Sequence, residues 1–339
     1  MHPQKAETNV WTLQEEFSHI EIGPSSQFRN LILFPLMRQN VTVPEMDYLL
    51  LEDGIAQGQV RVTELHAGGS VPELRLENNA DLPVLLVDGE ELVGAKQNRV
   101  LNLTILAPAK HTTVIPVSCV EAGRWKMSSA DLKPADHVMY SMGRGEQVRQ
   151  VTASMRSNGT RKSDQGAVWR NIAGKATRLM TSSPTGAMSA IYERHASAVE
   201  EIARAFTWQE GQCGIAFAIG GRILGLEMFD HPEVMRKFFR KLVRSYALDV
   251  LDATLAGNET ASVEGVCALV SQIGAARIFT EQALGIGKDV RFNGPEISGA
   301  ALWARERYVH ICTFAKNGES SEAPTFWTRI TRPSHRRTF

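Results

Sequence analysis

The sequence predicts an α+β fold: an N-terminal antiparallel β-sandwich, immunoglobulin-like or similar, followed by a mixed helical and β-hairpin domain. Three observations predict it. Short strand-like runs punctuated by Asn, Asp, Gly and Pro recur through the first third of the chain, helical apolar stripes fill much of the rest, and two apolar runs flank Gly220-Gly221. Composition shifts divide the chain into a β-sandwich domain at 18–130, a linker or crossing segment at 131–163, an α+β domain at 164–315 and a disordered basic tail at 316–339.

Residues before 18 are polar, with Trp11 and Phe17 as anchors. His19 to Ile22 and Leu31 to Leu36 read as strands, the second ended by Pro35. Tyr48 to Gln57 reads as a short helix closed by Gly58, and Gln59–Leu65 and Glu73–Glu77 alternate as half-buried strands. Arg99–Leu106 and Val114–Glu121 continue the pattern, with Asn98, Asn102 and Thr104 sharing one face. Inside the crossing, Glu146–Arg156 has helical character.

Asp164 is a fitting N-cap for a helix to about Met180, striped by Val168, Trp169, Ile172, Ala176 and Leu179. Pro184 opens a long helix through Phe206. Cys213–Ile219 and Arg222–Phe229 form a hairpin, since two glycines supply the positive φ of a tight turn. A helix capped at Asp230, with Pro232 in its first turn, runs to about Leu255, and another spans Val263–Ala276. Val290–Phe292, Ile297–Ala304 and Tyr308–Phe314 close the fold as strands.

With 339 residues and 43% apolar content the chain can bury two ordinary cores. Thirty-seven basic and 37 acidic side chains cancel, which removes any global field for nucleic acid or an anionic membrane. Cys119, Cys213, Cys267 and Cys312 have no paired spacing, so neither a disulfide framework nor a zinc ribbon is expected. No apolar run reaches the length of a signal peptide core or a membrane span. The expected setting is a reduced cytoplasm.

The stretch most unlike an ordinary surface is Leu82–Trp125, where Asp88-Gly89-Glu90-Glu91, Lys96-Gln97-Asn98-Arg99 and Glu121-Ala122-Gly123-Arg124-Trp125 interrupt strand patterns. Adjacent Glu90 and Glu91 point to opposite sides of a strand, so one of them can join Glu121 as the carboxylate pair that glycosidic or N-glycosidic cleavage uses. The competing reading is a turn carboxylate that accepts backbone N–H bonds. Lys96, Arg99 and Arg124 would hold phosphate oxygens, Trp125 would stack on an adenine, and Asp88, Gln97, Asn98 and Asn102 would read hydroxyls or base edges. Equally, these groups would form internal ion pairs while Trp125 closes the core.

Cys119, within an apolar run, reads as an inert core thiol, and His111, His195, His231 and His310 lack ligand-like spacing, so no metal is expected. Arg149, Arg156, Arg161 and Lys162 form a local basic cluster that would take a phosphate or an acidic partner, with a solvated face as the favoured reading. No cofactor is identifiable.

DGEELVGAKQNR, IPVSCVEAGRW, DQGAVW and LGLEMFDHPE together resemble the ARG and rhodanese-phosphatase-superfamily-associated protein domain family, over roughly Phe28 to Phe314. The resemblance implies association with NAD or ADP-ribose metabolism, as a ligand-binding protein or a hydrolase acting on a nucleotide-like molecule. Gln165, within the DQGAVW string, would then face the sandwich. The alternative is a non-enzymatic module that docks on partner proteins of an ADP-ribose-processing or bacterial defence system.

Overall fold

The computed structural model describes residues 12–39, 45–66, 68–252 and 260–316. Trp11, the tail beyond Lys316 and the far end of the helix expected to reach Leu255 lie outside the described residues.

The described chain opens with α1 (Leu13–Phe17), whose Thr12 and Glu15 form a capping box. Strands β1 (Ile20–Ile22), β2 (Ser26–Phe28) and β3 (Leu31–Arg38) follow. β3 does not stop at Pro35: it runs through that residue, which lies opposite Ile215. Its partner is therefore not the neighbouring sequence but β13 (Gln212–Ile219), far along the chain. The run Leu31-Ile32-Leu33-Phe34 explains why, because a strand apolar at every position must be covered on both faces.

A second β unit follows. It consists of β4 (Leu49–Leu50), α2 (Leu51–Ala56), β5 (Val60–Glu64), β6 (Glu73–Asn78), β7 (Val84–Leu86), β8 (Glu90–Gly94), β9 (Arg99–Leu101), β10 (Ile105–Ala107), β11 (His111–Cys119) and β12 (Leu132–Val138). Six strands pair in the order β12-β8-β9-β11-β6-β5, and three in the order β10-β7-β4, with β4 and β7 parallel. A shared apolar core takes Val62, Leu76, Leu101 and Ile115 from the larger sheet and Val84, Leu86 and Ile105 from the smaller. The run read as one strand from Arg99 to Leu106 breaks at Asn102–Thr104, and its second half crosses to the other sheet. Most pairing is antiparallel, as expected.

The segment read as a crossing is regular structure. β12 pairs with β8, and α3 (Ser141–Asn158) is an 18-residue helix stopped by Gly159 at φ 68°. Asp164 caps α4 (Gln165–Arg178), accepting a hydrogen bond from Ala167 N at 3.0 Å. The single helix expected after Pro184 is two, α5 (Ser189–Arg194) and α6 (Ala196–Arg204), broken at His195. Then β13 and β14 (Arg222–Phe229) form the expected hairpin, with Gly220 and Gly221 at φ 58° and 80°.

His231, rather than Asp230, caps α7 (Pro232–Val250), while Asp230 accepts hydrogen bonds from Tyr48 and Arg307. The chain closes with α8 (Val263–Gly274) and strands β15 (Arg277–Gln282), β16 (Lys288–Asn293), β17 (Ile297–Ala304) and β18 (Arg307–Ala315). β15 carries no period-2 apolar pattern and went unpredicted.

One nine-stranded antiparallel sheet gathers β1, β3, β13, β14, β18, β17, β16 and β15 in that order, with β2 on β3. Alternate residues serve different cores. Leu31, Leu33, Ile215 and Phe217 join a cluster with Val234, Phe238 and Tyr246 of α7, whereas Ile32, Phe34, Ala216 and Ala218 meet Leu13 of α1 and Leu269 of α8. The first of these clusters also contains Leu85, Val87, Val100, Val120 and Val138 from the second β unit. The polar stretch Leu82–Trp125 thus lies between two apolar cores.

Candidate functional site

Because β9, most of β8 and the second half of β11 are buried on both faces, every polar side chain they carry there must find a partner or stay costly. The structure distributes the candidate residues among several separate networks.

Asp88 belongs to a sealed ion network. Arg144 Nη2 of α3 donates to both of its carboxylate oxygens at 3.1 Å, and Arg144 Nη1 donates to Glu227 of β14. Glu227 also bonds His310 Nε2 at 2.9 Å, and His310 Nδ1 meets Thr104 Oγ1 at 2.8 Å. Burial opposes ionisation of Asp88, but Arg144 and His310 outweigh it and hold the carboxyl below its ordinary range. Gly89 permits the approach: its φ is 80°, and a Cβ there would run into the Arg144 guanidinium.

Ligand atoms of Asp88, His310 and Cys312 lie within 4.8 Å of one another. They do not fit a cation, because Asp88 and His310 are already bonded, burial pushes the Cys312 thiol up, and the Arg144 and Arg291 guanidinium groups stand beside it. This network joins the two β units as an internal counter-ion set.

Glu90 points the other way from Glu91, as adjacent strand residues must. Its Oε2 accepts a hydrogen bond from Val87 N at 2.9 Å, and Lys241 Nζ stands 3.7 Å from its Oε1 and 2.7 Å from Glu52. Burial raises the Glu90 pKa, with Lys241 offsetting part of the rise. Glu90, Glu52 and Lys241 line a depression of about 390 Å³.

Glu91 and Glu121 are brought together by Asn98. The Asn98 side chain donates to Glu91 Oε1 at 3.2 Å, and its backbone N–H donates to Glu121 Oε2 at 3.2 Å. Glu121 is further held by Arg124 Nε at 2.7 Å and Thr185 Oγ1 at 2.9 Å. Burial opposes its ionisation and the Arg124 hydrogen bond prevails, so its pKa is lowered. Arg124 spends its remaining donors on Ala95 O, Lys126 O, Ser128 Oγ and Asn98 Oδ1. It pins the β8–β9 turn rather than presenting a free fork.

Asn102 accepts from Ser118 at 2.6 Å and Gln147 at 2.8 Å and donates to Arg161 O at 3.0 Å. Gln165 does face the β unit: its amide bonds Cys119 N and Cys119 O, both at 2.8 Å, and so splices the start of α4 to β11. Burial pushes the Cys119 thiol up, which fits a core residue.

Two groups depart from this closure. Glu91 Oε2 lies 2.8 Å from Nε2 of His137, and His137 Nδ1 lies 3.0 Å from Asp136. The His137 ring stacks on Tyr192 with centroids 3.7 Å apart. Burial would lower the imidazole pKa, but the bonds to Asp136 and Glu91 reverse that and raise it; Asp136 is lowered to about 2, first by its bond to His137. His137 and Tyr192 stand at the wall of a cleft of about 580 Å³ whose other walls include Val93, Glu193, Val199, Glu200, Arg204 and Arg244. Arg244 is bonded to Glu200 at 2.9 Å and to Asp136 O at 2.8 Å.

The second is Arg99. It is fully buried, and its Nε and Nη2 have no hydrogen-bond partner among the described residues. Its guanidinium lies 5.7 Å from the Trp125 ring, and Lys96 Nζ lies 5.2 Å from the same ring. Lys96 also donates to Gly68 O at 2.6 Å. Gln97 gives its amide N–H to Glu121 O at 2.9 Å and leaves Oε1 unpaired.

His137, Tyr192, Arg144 and Glu227 escaped the sequence reading. His137 sits in Leu132–Val138, a run whose proline and charges hide its pairing with β8, and Arg144 lies between glycines that signal a break rather than a helix.

Neither the curated proteins nor the solved structures contain a match to this chain. The profile of one family, described as the ARG and Rhodanese-Phosphatase-superfamily-associated Protein domain, matches residues 19–314. That match reaches every strand of the nine-stranded sheet, stopping one residue short of the end of β18, and by it the chain belongs to the ARG and Rhodanese-Phosphatase-superfamily-associated Protein domain family.

Proposed function

We propose that this protein binds a ribose- and phosphate-bearing small molecule in the cleft at His137, with the Glu91–His137 pair supplying a proton where the bound molecule is cleaved. The observation that carries this reading is an imidazole held between two carboxylates at the wall of a cleft of about 580 Å³. That volume falls in the ordinary range for small-molecule sites, about 300–1,000 Å³. Val93, Val199 and Tyr192 offer an apolar wall for a base, Glu193 and Asp136 can accept hydroxyl protons, and Arg204 and Arg244 can turn toward phosphate oxygens. A guest that displaces exposed Asp136 from Nδ1 of a protonated His137 would receive that nitrogen's proton, with buried Glu91 fixing the ring at Nε2. Glu121 acts one step back, through Asn98. The family's association with a rhodanese-phosphatase context is compatible with a nucleotide-type ligand.

Thermal shift with ADP-ribose, NAD, AMP and a blank tests the reading. A ligand at 100 times its Kd adds about 2.7 kcal/mol of stability, which is several degrees. His137→Gln and Arg244→Ala should abolish the response. No shift with any of the three, together with no small molecule co-purified by mass spectrometry, would refute it.

A second reading is a non-enzymatic module that docks on a partner protein. It is favoured by the closure of most of the polar stretch into internal ion pairs and by the family's name, which records association with other proteins. Co-purification of a defined partner whose binding survives His137→Gln and Arg244→Ala would support it over the first.

A further inference from the structure

The fully buried side chain of Arg99 has two orphaned donors, and orphaned acceptors lie around it. Gln97 Oε1 and Glu64 Oε2 are likewise buried without a hydrogen-bond partner among the described residues. The groups lie close together. Glu64 acts electrostatically on Arg99, Glu64 Oε1 accepts from Lys96 N at 3.1 Å, and a Cβ at Gly69 would sit 3.4 Å from Glu64 Oε2 and 3.2 Å from Trp125 Cζ2. Gln97 Nε2 and Cys119 Sγ both bond Glu121 O, and Cys119 is the cross-strand neighbour of Arg99.

A buried guanidinium with two unbonded donors is costly even with the Glu64 carboxylate acting on it, and Nε with Nη2 is the edge that grips two oxygens of one oxyanion. Glu64 and Gln97 would repel a bare anion. They would accept a proton from one that carries an O–H.

We propose that the unbonded edge of Arg99, with Glu64, Gln97 and Trp125 around it, is a binding site for a protonated oxyanion, hydrogen phosphate or a phosphate monoester. Two oxygens take the Arg99 edge, the P–OH donates to Glu64 Oε2 or Gln97 Oε1, and Trp125, half exposed in the loop after β11, forms the outer wall. This site uses the face of β9 opposite to Val100, whereas Glu91 pairs with Val100 and faces the His137 cleft. It is independent of the reading given under Proposed function.

Calorimetric titration of the full chain with sodium phosphate and with sodium sulfate, at matched ionic strength near pH 7, tests it. Sulfate has the same shape and no proton at that pH. Phosphate should bind saturably and sulfate at least about tenfold more weakly, a factor worth about 1.4 kcal/mol. Glu64→Gln, which converts an acceptor into a donor, should bring sulfate to parity. Arg99→Met should abolish phosphate binding and, because it removes two unbonded buried donors, melt close to the unaltered protein. Trp125→Phe should keep the fold and lose the tryptophan fluorescence change on phosphate addition.

Equal affinities for the two anions, phosphate binding that persists in Arg99→Met, or no saturable binding would overturn the proposal. The last result together with a destabilised Arg99→Met would mean that Arg99 is satisfied by ordered water alone.

Discussion

Replacing Arg144 with Met tests whether the two β units are joined by a sealed counter-ion network. Arg144 is fully buried, donates through Nη2 to both oxygens of Asp88 at 3.1 Å and through Nη1 to Glu227. Met fills most of its volume yet leaves two carboxylates facing each other without the cation. Breaking a buried pair from one side costs about 3–5 kcal/mol. At about 2 °C per kcal/mol for a chain this large, the melting point should fall by roughly 6–10 °C.

The deficit should depend on pH in a defined direction. In the unaltered protein Asp88 is held below its ordinary value, so its contribution is present above that value and is lost only as pH falls through the lowered one. In the variant the bare carboxylates bind protons more readily than in the unfolded chain, and acid restores stability. Guanidinium denaturation at pH 7.5 and 5.5 should therefore show a smaller deficit at pH 5.5. The triple variant Asp88→Asn, Arg144→Met, Glu227→Gln, which removes both carboxylates together with the guanidinium, should recover most of the loss. A deficit under about 1 kcal/mol at pH 7.5, or one equal at both pH values, would refute the reasoning.

Three further outcomes are expected. His137 has a raised pKa, so its contribution is complete below the ordinary histidine value of about 6.5 and fades as pH rises through the folded value; His137→Gln should flatten stability over that window, read by thermal melts at half-unit pH steps. Gln165→Ala removes two 2.8 Å bonds to the Cys119 backbone and should cost about 1–3 kcal/mol in urea denaturation, with an unchanged midpoint counting against the splice. Gly89→Ala combines φ 80° with a collision against Arg144 and should cost at least about 2 kcal/mol, seen as loss of soluble yield or a lowered midpoint.

Local chemistry was legible wherever a residue type has one strong structural use. Gly220-Gly221 announced the β13–β14 hairpin, and Asp164 announced the start of α4. Long-range pairing was not legible. Nothing in Leu31–Arg38 names Gln212–Ile219 as its neighbour, and only its uninterrupted apolarity hinted at cover on both faces. The break after Leu101 was hidden because alternation continues across it while the strand changes sheets. β15 was missed because it is mostly exposed and so lacks a face to mark.

For the site, the pattern correctly set Glu90 and Glu91 on opposite sides, since that follows from the pleat alone. It could not say what waits on each side. Lys241, His137, Arg144 and Glu227 all come from distant elements, and no spacing within Leu82–Trp125 encodes them.

A buried or half-buried polar residue has two physical explanations, a partner folded in from elsewhere or a partner that arrives as a ligand. Asp88, Asn102, Arg124, Glu121 and Gln165 fall to the first, because hydrogen bonds from the chain itself engage their side chains. Glu91 is a borderline case: it is paired, but with a histidine that reaches a cleft, so its charge can act on a guest through an imidazole. On the proposal above Arg99 falls to the second, because a buried guanidinium with two idle donors costs stability until something binds it. The stretch is thus better understood as scaffold with two unfinished edges than as one continuous pocket. Substitutions at its closed positions should act on stability first, and those at His137 and Arg99 should act on binding first.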